Sequence, residues 1–81
     1  MENPVKVTIL AFGQIAEDLG CREKELIIEH GTEVRVVIEN LGQQHWIGQG
    51  LAVAIDGNKV DLSHSILKEC EIAILPPVSG G

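Results

Sequence analysis

Ile72-Ala73-Ile74-Leu75-Pro76-Pro77-Val78-Ser79-Gly80-Gly81 is the stretch from which the rest of the chain can be read. Glu71 to Leu75 is β-rich, and Pro76-Pro77 stops the strand because proline has no amide to donate to a ladder. Ile72 and Ile74 point one way while Ala73 and Leu75 point the other, the pattern of a strand covered on both faces. In a chain of 81 residues the helices are expected to cover one face of the sheet. The second apolar face then needs a cover from outside, which points to a protein interface, or else loops of the same chain lie over it. Residues 76–81 carry no side-chain charge and, fully extended, reach roughly 20 Å at 3.3–3.6 Å each. Pro76-Pro77 favours a stiff, extended start, so such a tail loses less entropy on docking. Gly80 and Gly81 lack a Cβ and fit a channel that any other residue would jam. With Gly81 as the expected terminus, the group delivered is its α-carboxylate, which becomes reactive towards sulfur, oxygen or nitrogen once activated as an acyl-adenylate. A frayed end that happens to finish in glycines is the competing account. The neutral Pro-Pro spacer directly behind a buried strand weighs against it.

Working outward, Leu51 to Ile55 is again β-rich, and Asp56-Gly57 is a strong two-residue turn signal before Lys59-Val60. Ser63 to Leu67 reads as a loop or a single helical turn. Upstream, Val34, Val36 and Ile38 alternate as a strand would, but Val34, Val37, Ile38 and Leu41 fit one helical face equally well. The flanks favour a helix: Thr32 as N-cap, Glu33 in the first turn and Gly42 at C′. Arg35 stands where a capping box would need Glu or Gln. Lys24 to Glu29 is a strand closing at His30-Gly31. Val5 to Ala11 is the first strand, with Val5, Val7 and Ile9 on one face. Phe12, Ile15, Ala16 and Leu19 recur at helical spacing and end at Gly20, a good stop. The expected order is β, short helix, β, helix, β, β and a tail.

The length allows one domain, residues 1–75, with 76–81 as its tail. Forty-four per cent apolar residues can build a thin core. No apolar run approaches the ~20 residues of a membrane helix, and Met1-Glu2-Asn3-Pro4 lacks the basic start of a signal peptide. The chain therefore reads as soluble and cytoplasmic. A formal net charge of −6, with Lys6, Arg22, Lys24, Arg35, Lys59 and Lys68 scattered along the sequence, argues against nucleic-acid binding. It suits a partner with a basic surface, or serves solubility alone. Cys21 and Cys70 form no CxxC motif and read as structural thiols. His30, His45 and His64 show no metal-ligand spacing, so no metal is expected. His45-Trp46 reads as a loop with Trp46 anchoring it to the core.

The ending Ile72 to Gly81 resembles the C-terminus of the molybdopterin synthase small-subunit family, and the likeness extends over the whole chain. Val5 to Leu19 looks like the family's opening strand and Phe-containing short helix, Thr32 to Leu41 like its main helix, and Ala52 to Gly57 like its hairpin. Family members often carry Gly-Asp before the last strand and an aromatic residue before the double proline, where this chain has Glu69-Cys70 and Leu75. The resemblance implies an α+β, ubiquitin-like β-grasp: a mixed sheet packed on one main helix, with an extended C-terminal tail. It also implies that Gly81 is adenylylated by a ubiquitin-activating-like adenylyltransferase using ATP. A sulfur donor enzyme then converts it to a thiocarboxylate. Leu75, Pro76, Pro77, Val78, Ser79 and Gly80 would dock in the molybdopterin synthase large subunit, where sulfur passes to cyclic pyranopterin monophosphate in a heterotetramer of two small and two large subunits. The small subunit would bind no cofactor of its own and do no acid–base work. A carrier of cysteine or thiamine biosynthesis, a protein modifier attached through Gly81 and a passive binding module are the other readings of the same pattern.

Overall fold

The computed structural model describes residues 2–77. Alternation along Pro4–Ala11 produces β1, with Val5, Val7, Ile9 and Ala11 buried on one face. The short helix α1 is Gly13–Leu19, closed by Gly20 in the left-handed region at φ 76°, whose N–H donates to the carbonyls of Ala16 and Glu17. Phe12, expected on the helix's apolar face, instead precedes the helix in an extended conformation and is exposed. Its apolarity fitted the helical spacing, but its backbone prolongs β1. Glu23–Glu29 forms β2, antiparallel to β1, with Ile28 opposite Val5 and Leu26 opposite Val7 on the core side.

The ambiguous segment is a helix, α2, Val34–Asn40, with Val34, Val37 and Ile38 fully buried and Leu41 packed against the core. Gly42, at φ 74°, donates its N–H to Glu39 O, as expected of C′. The N-terminus of α2 differs from that expected. Thr32 does not cap the helix, and Glu33 is the N-cap residue rather than part of the first turn. Thr32-Glu33 forms a two-residue strand, β3, and the Thr32 hydroxyl donates back to Glu29 O at 2.6 Å. The reason lies in the partners of the first helical amides. Val34 N–H reaches His64 O at 3.0 Å and Arg35 N–H reaches Leu62 O at 2.9 Å, so main-chain carbonyls do what a capping side chain would.

Ala52–Ile55 (β4) and Asn58–Val60 (β5) form the expected hairpin, with Asp56 and Gly57 at φ 48° and 85°, the two left-handed residues of a tight primed turn. Ser65–Ile66, read as loop or helical turn, is instead β6, antiparallel to β3 in a separate two-stranded sheet. Cys70–Leu75 is β7, which lies in the middle of a five-stranded sheet of order β2-β1-β7-β4-β5. It runs parallel to β1 and antiparallel to β4, so the sheet is mixed. α2, which buries three side chains where α1 buries only Ile15, is the main helix on the core face of this sheet. This is the ubiquitin-like β-grasp. Among the described residues no helix is long and apolar enough to cross a membrane.

Ile72 and Ile74 are fully buried on this central strand. Ile74→Ala should cost about 2–5 kcal/mol, a large part of the ~5–15 kcal/mol available to a small domain. Urea unfolding would read this as a lower midpoint with an unchanged slope; a loss under ~1 kcal/mol would mean that β7 does not anchor the core.

Candidate functional site

The site is built where β7 ends. Ile74 faces the core, so the next residue, Leu75, faces outward, and it is 38% exposed. Strand register puts Leu10 beside Ala73, Ala54 opposite Ala73 and Ala52 opposite Leu75, so these side chains share the outer face of the sheet. Thr8, Glu71 and Lys59 continue that face around them. The second apolar face read from β7 is therefore real, and neither α1 nor α2 covers it.

Beyond Leu75 the prolines end the ladder and lie against the body. Pro76 packs at Gly13, where a Cβ would fall 3.0 Å from the proline Cγ, and Pro77 packs at Gly50, where a Cβ would fall 3.1 Å from the proline Cβ. Around them Phe12, Gln14, Trp46 and Leu75 line a shallow depression of about 440 Å³. Trp46 sits on a 3-10 turn, Gln44–Trp46, half-buried against the core, and its ring N–H donates to Gln43 Oε1 at 2.9 Å. Gln43 is itself buried, and its backbone N–H donates to Ile38 O at 3.0 Å. The anchoring expected of Trp46 is thus observed, and it ties one wall of the depression to α2.

Of the residues assigned to the site from sequence, Leu75, Pro76 and Pro77 come together here. Val78, Ser79, Gly80 and Gly81 lie outside the described residues. Sequence reading missed Phe12, Gly13, Trp46 and Gly50 as neighbours of the tail. Phe12 carried a signal, an aromatic residue at the junction of strand and helix; Gly50 carried none, since its role depends on where β4 pairs.

Cys21 and Cys70 are both free thiols. Cys70 begins β7, about 17 Å from Leu75 along a six-residue strand. Burial pushes the Cys70 thiol above its ordinary value, the Asp56 charge adds to the rise, and Lys68 opposes it. Among the described residues no group of three or more His, Cys, Asp or Glu is placed to hold a metal.

The fold defines a ubiquitin-like protein of the β-grasp class. The chain belongs to the ThiS family, whose profile matches residues 9–81. Among solved structures, the chain is similar to a complex of subunits 1 and 2 of molybdopterin-converting factor from Helicobacter pylori, with 26% identity and a TM-score of 0.58 over 95% of this chain and all of that one. A candidate molybdopterin converting factor subunit 1 from Pyrococcus furiosus matches with 22% identity and a TM-score of 0.74, covering 91% of this chain and 99% of that one. Small archaeal modifier protein 1 from Haloferax volcanii matches with 20% identity and a TM-score of 0.75 over 94% and 99%. No curated protein sequence matches the chain.

A raised pKa leaves less thiolate, the reactive form. Cys70 should therefore alkylate with iodoacetamide at neutral pH more slowly than an unstructured cysteine peptide, and its rate should climb at higher pH than the peptide's. Peptide mapping after timed quenching reads both. Equal rates would show that burial does not protect this thiol.

Proposed function

We propose that this chain is the sulfur-carrying small subunit of a molybdopterin synthase, acting through the carboxylate of Gly81. An adenylyltransferase partner of the ubiquitin-activating type uses ATP: the carboxylate attacks the α-phosphorus and pyrophosphate leaves. Sulfide-level sulfur delivered by a donor enzyme then attacks the acyl carbon and expels AMP, leaving a thiocarboxylate. The tail enters the large subunit, where the sulfur passes to cyclic pyranopterin monophosphate to build the dithiolene. In this reading the work is cytoplasmic, two small and two large subunits make the enzyme, and the large subunit supplies the pocket and the acid–base groups. The small subunit itself holds no cofactor.

One observation carries the reading. The segment leading to Gly80-Gly81 follows the central strand of the sheet, and the first residue outside the core, Leu75, stands on an uncovered apolar face. A strand held on both sides gives the tail a fixed origin, and the exposed face gives a partner something to grip. The likeness to the Helicobacter pylori two-subunit complex supports a large-subunit partner. Cys21 and Cys70 are dispensable in this chemistry, because the acyl group rather than a thiol holds the sulfur. A protein modifier would share every step up to the acyl-adenylate, as would a carrier serving cysteine or thiamine biosynthesis.

Two expected outcomes follow. Deleting Gly81 withdraws the carboxylate by about 3.5 Å, and even ~1 Å of misplacement can cost 10²-fold in a positioned reaction. ATP–pyrophosphate exchange with the adenylyltransferase of the same organism should fall by at least that factor, as it should when one alanine follows Gly81. The melting temperature should move little. Near-normal exchange by either variant would remove Gly81 from the chemistry. Leu75→Glu should leave the isolated chain folded but weaken large-subunit binding by roughly 2 kcal/mol or more, about thirtyfold in Kd. Unchanged affinity by calorimetry would rule out this face as the contact.

A further inference from the structure

We propose that Gly13 and Gly50 form a saddle that sets the direction in which the tail leaves the domain, and that they are positioning residues for the delivery of Gly81. The last clause rests on the carrier reading above; the saddle itself does not.

Ala11 of β1 lies beside Ile74 in the parallel pair, so two residues further on Gly13 comes level with Pro76. Ala52 of β4 lies opposite Leu75 in the antiparallel pair, so two residues back along β4 and two forward along β7 bring Gly50 level with Pro77. The two strands that flank β7 therefore each place a glycine beside a proline just where the ladder stops. Prolines cannot donate to those neighbours, so the contact between tail root and body is one of shape. Both glycines have left-handed backbones, at φ 56° and 92°.

The steric margin is small. An added Cβ would stand 3.0 Å from Pro76 Cγ at one glycine and 3.1 Å from Pro77 Cβ at the other, inside the ~3.5–4.0 Å optimum between carbon atoms. The proline rings would have to shift. The body is less free to yield, because β1 and β4 are both paired to β7 on either side of the junction. A shift at the root changes the direction in which the chain leaves the body, and small misplacements are costly in a positioned reaction.

The structure also contains its own controls. Gly31 and Gly57 have φ values of 89° and 85°, yet a Cβ there meets nothing within 4 Å. Gly31→Ala and Gly57→Ala thus impose the same kind of backbone strain without touching the tail.

The test has a structural arm and a kinetic arm. In the unaltered chain, nuclear Overhauser contacts are expected between the α-protons of Gly13 and the ring of Pro76, and between those of Gly50 and the ring of Pro77. In ATP–pyrophosphate exchange, Gly13→Ala and Gly50→Ala should each lose about tenfold or more in kcat/KM. Gly31→Ala and Gly57→Ala should lose less than about twofold at a comparable fall in melting temperature. In a Pro76→Ala background, which removes the Cγ that the new Cβ meets, Gly13→Ala should cost no more than the controls. That rescue would not occur if Gly13 mattered only for folding. Absent ring contacts, equal losses for all four alanine variants, or no rescue by Pro76→Ala would overturn the saddle. The ring contacts need no partner, so a failure of the carrier reading, seen as no exchange by the unaltered chain, is told apart from a failure of the saddle.

Discussion

The parallel pairing of β1 with β7 is the constraint on which the rest of the structure depends. A parallel pair cannot be closed by a tight turn; here the whole chain between Ala11 and Cys70 serves as the connection. That long connection supplies α2, which covers the core face of the sheet, and β4, which pairs with the other edge of β7. The last strand consequently becomes the central one. The end of β7, where Leu75 leads into Pro76-Pro77, is therefore held by two neighbours rather than one.

This placement separates two tasks that would otherwise compete. Ile72 and Ile74 hold the strand in the core, while the alternation of a strand gives Ala73 and Leu75 to the opposite face. The same six residues therefore anchor the fold and present an apolar outer face. Past Leu75 the prolines end the ladder, so whatever the tail does beyond them makes no demand on sheet hydrogen bonding. The surface charges are arranged more loosely. Lys6 pairs with Glu25, and Arg35 with Glu33 and Glu39, at 3.4–3.5 Å and largely in solvent, where such pairs contribute little to stability. Stability rests on the apolar cluster between sheet and helices.

Much of this was legible in the sequence because the relevant signals are local. Alternation at Val5, Val7 and Ile9, the Asp56-Gly57 turn, and the Pro76-Pro77 stop each name an element without knowledge of its neighbours. What escaped depended on tertiary pairing. β3 and β6 are two residues each, too short for any periodicity, and they exist because they find each other. Thr32 looks like a cap, but the carbonyls of Leu62 and His64 were already in place for the helix amides. Phe12 fits a helical stripe by spacing, yet extended backbone sets it outside α1. At the site, the apolar outer face could be inferred from Ala73 and Leu75. The neighbours of Pro77 could not, because Gly50 acquires its role only from the register of β4 on β7.

If Gly81 carries sulfur as an acyl group, as proposed, the sulfur is visible in the mass of the protein. The most direct measurement is the intact mass of the protein purified from its own cells, followed by tandem mass spectrometry of its C-terminal peptide. The expected result is a population in which one oxygen of the terminal carboxylate is replaced by sulfur, with the change confined to Gly81 and lost on mild hydrolysis. A terminal carboxylate with no sulfur form, accompanied by higher-mass species joined through Gly81 to lysines of other proteins, would contradict it and identify the chain as a modifier.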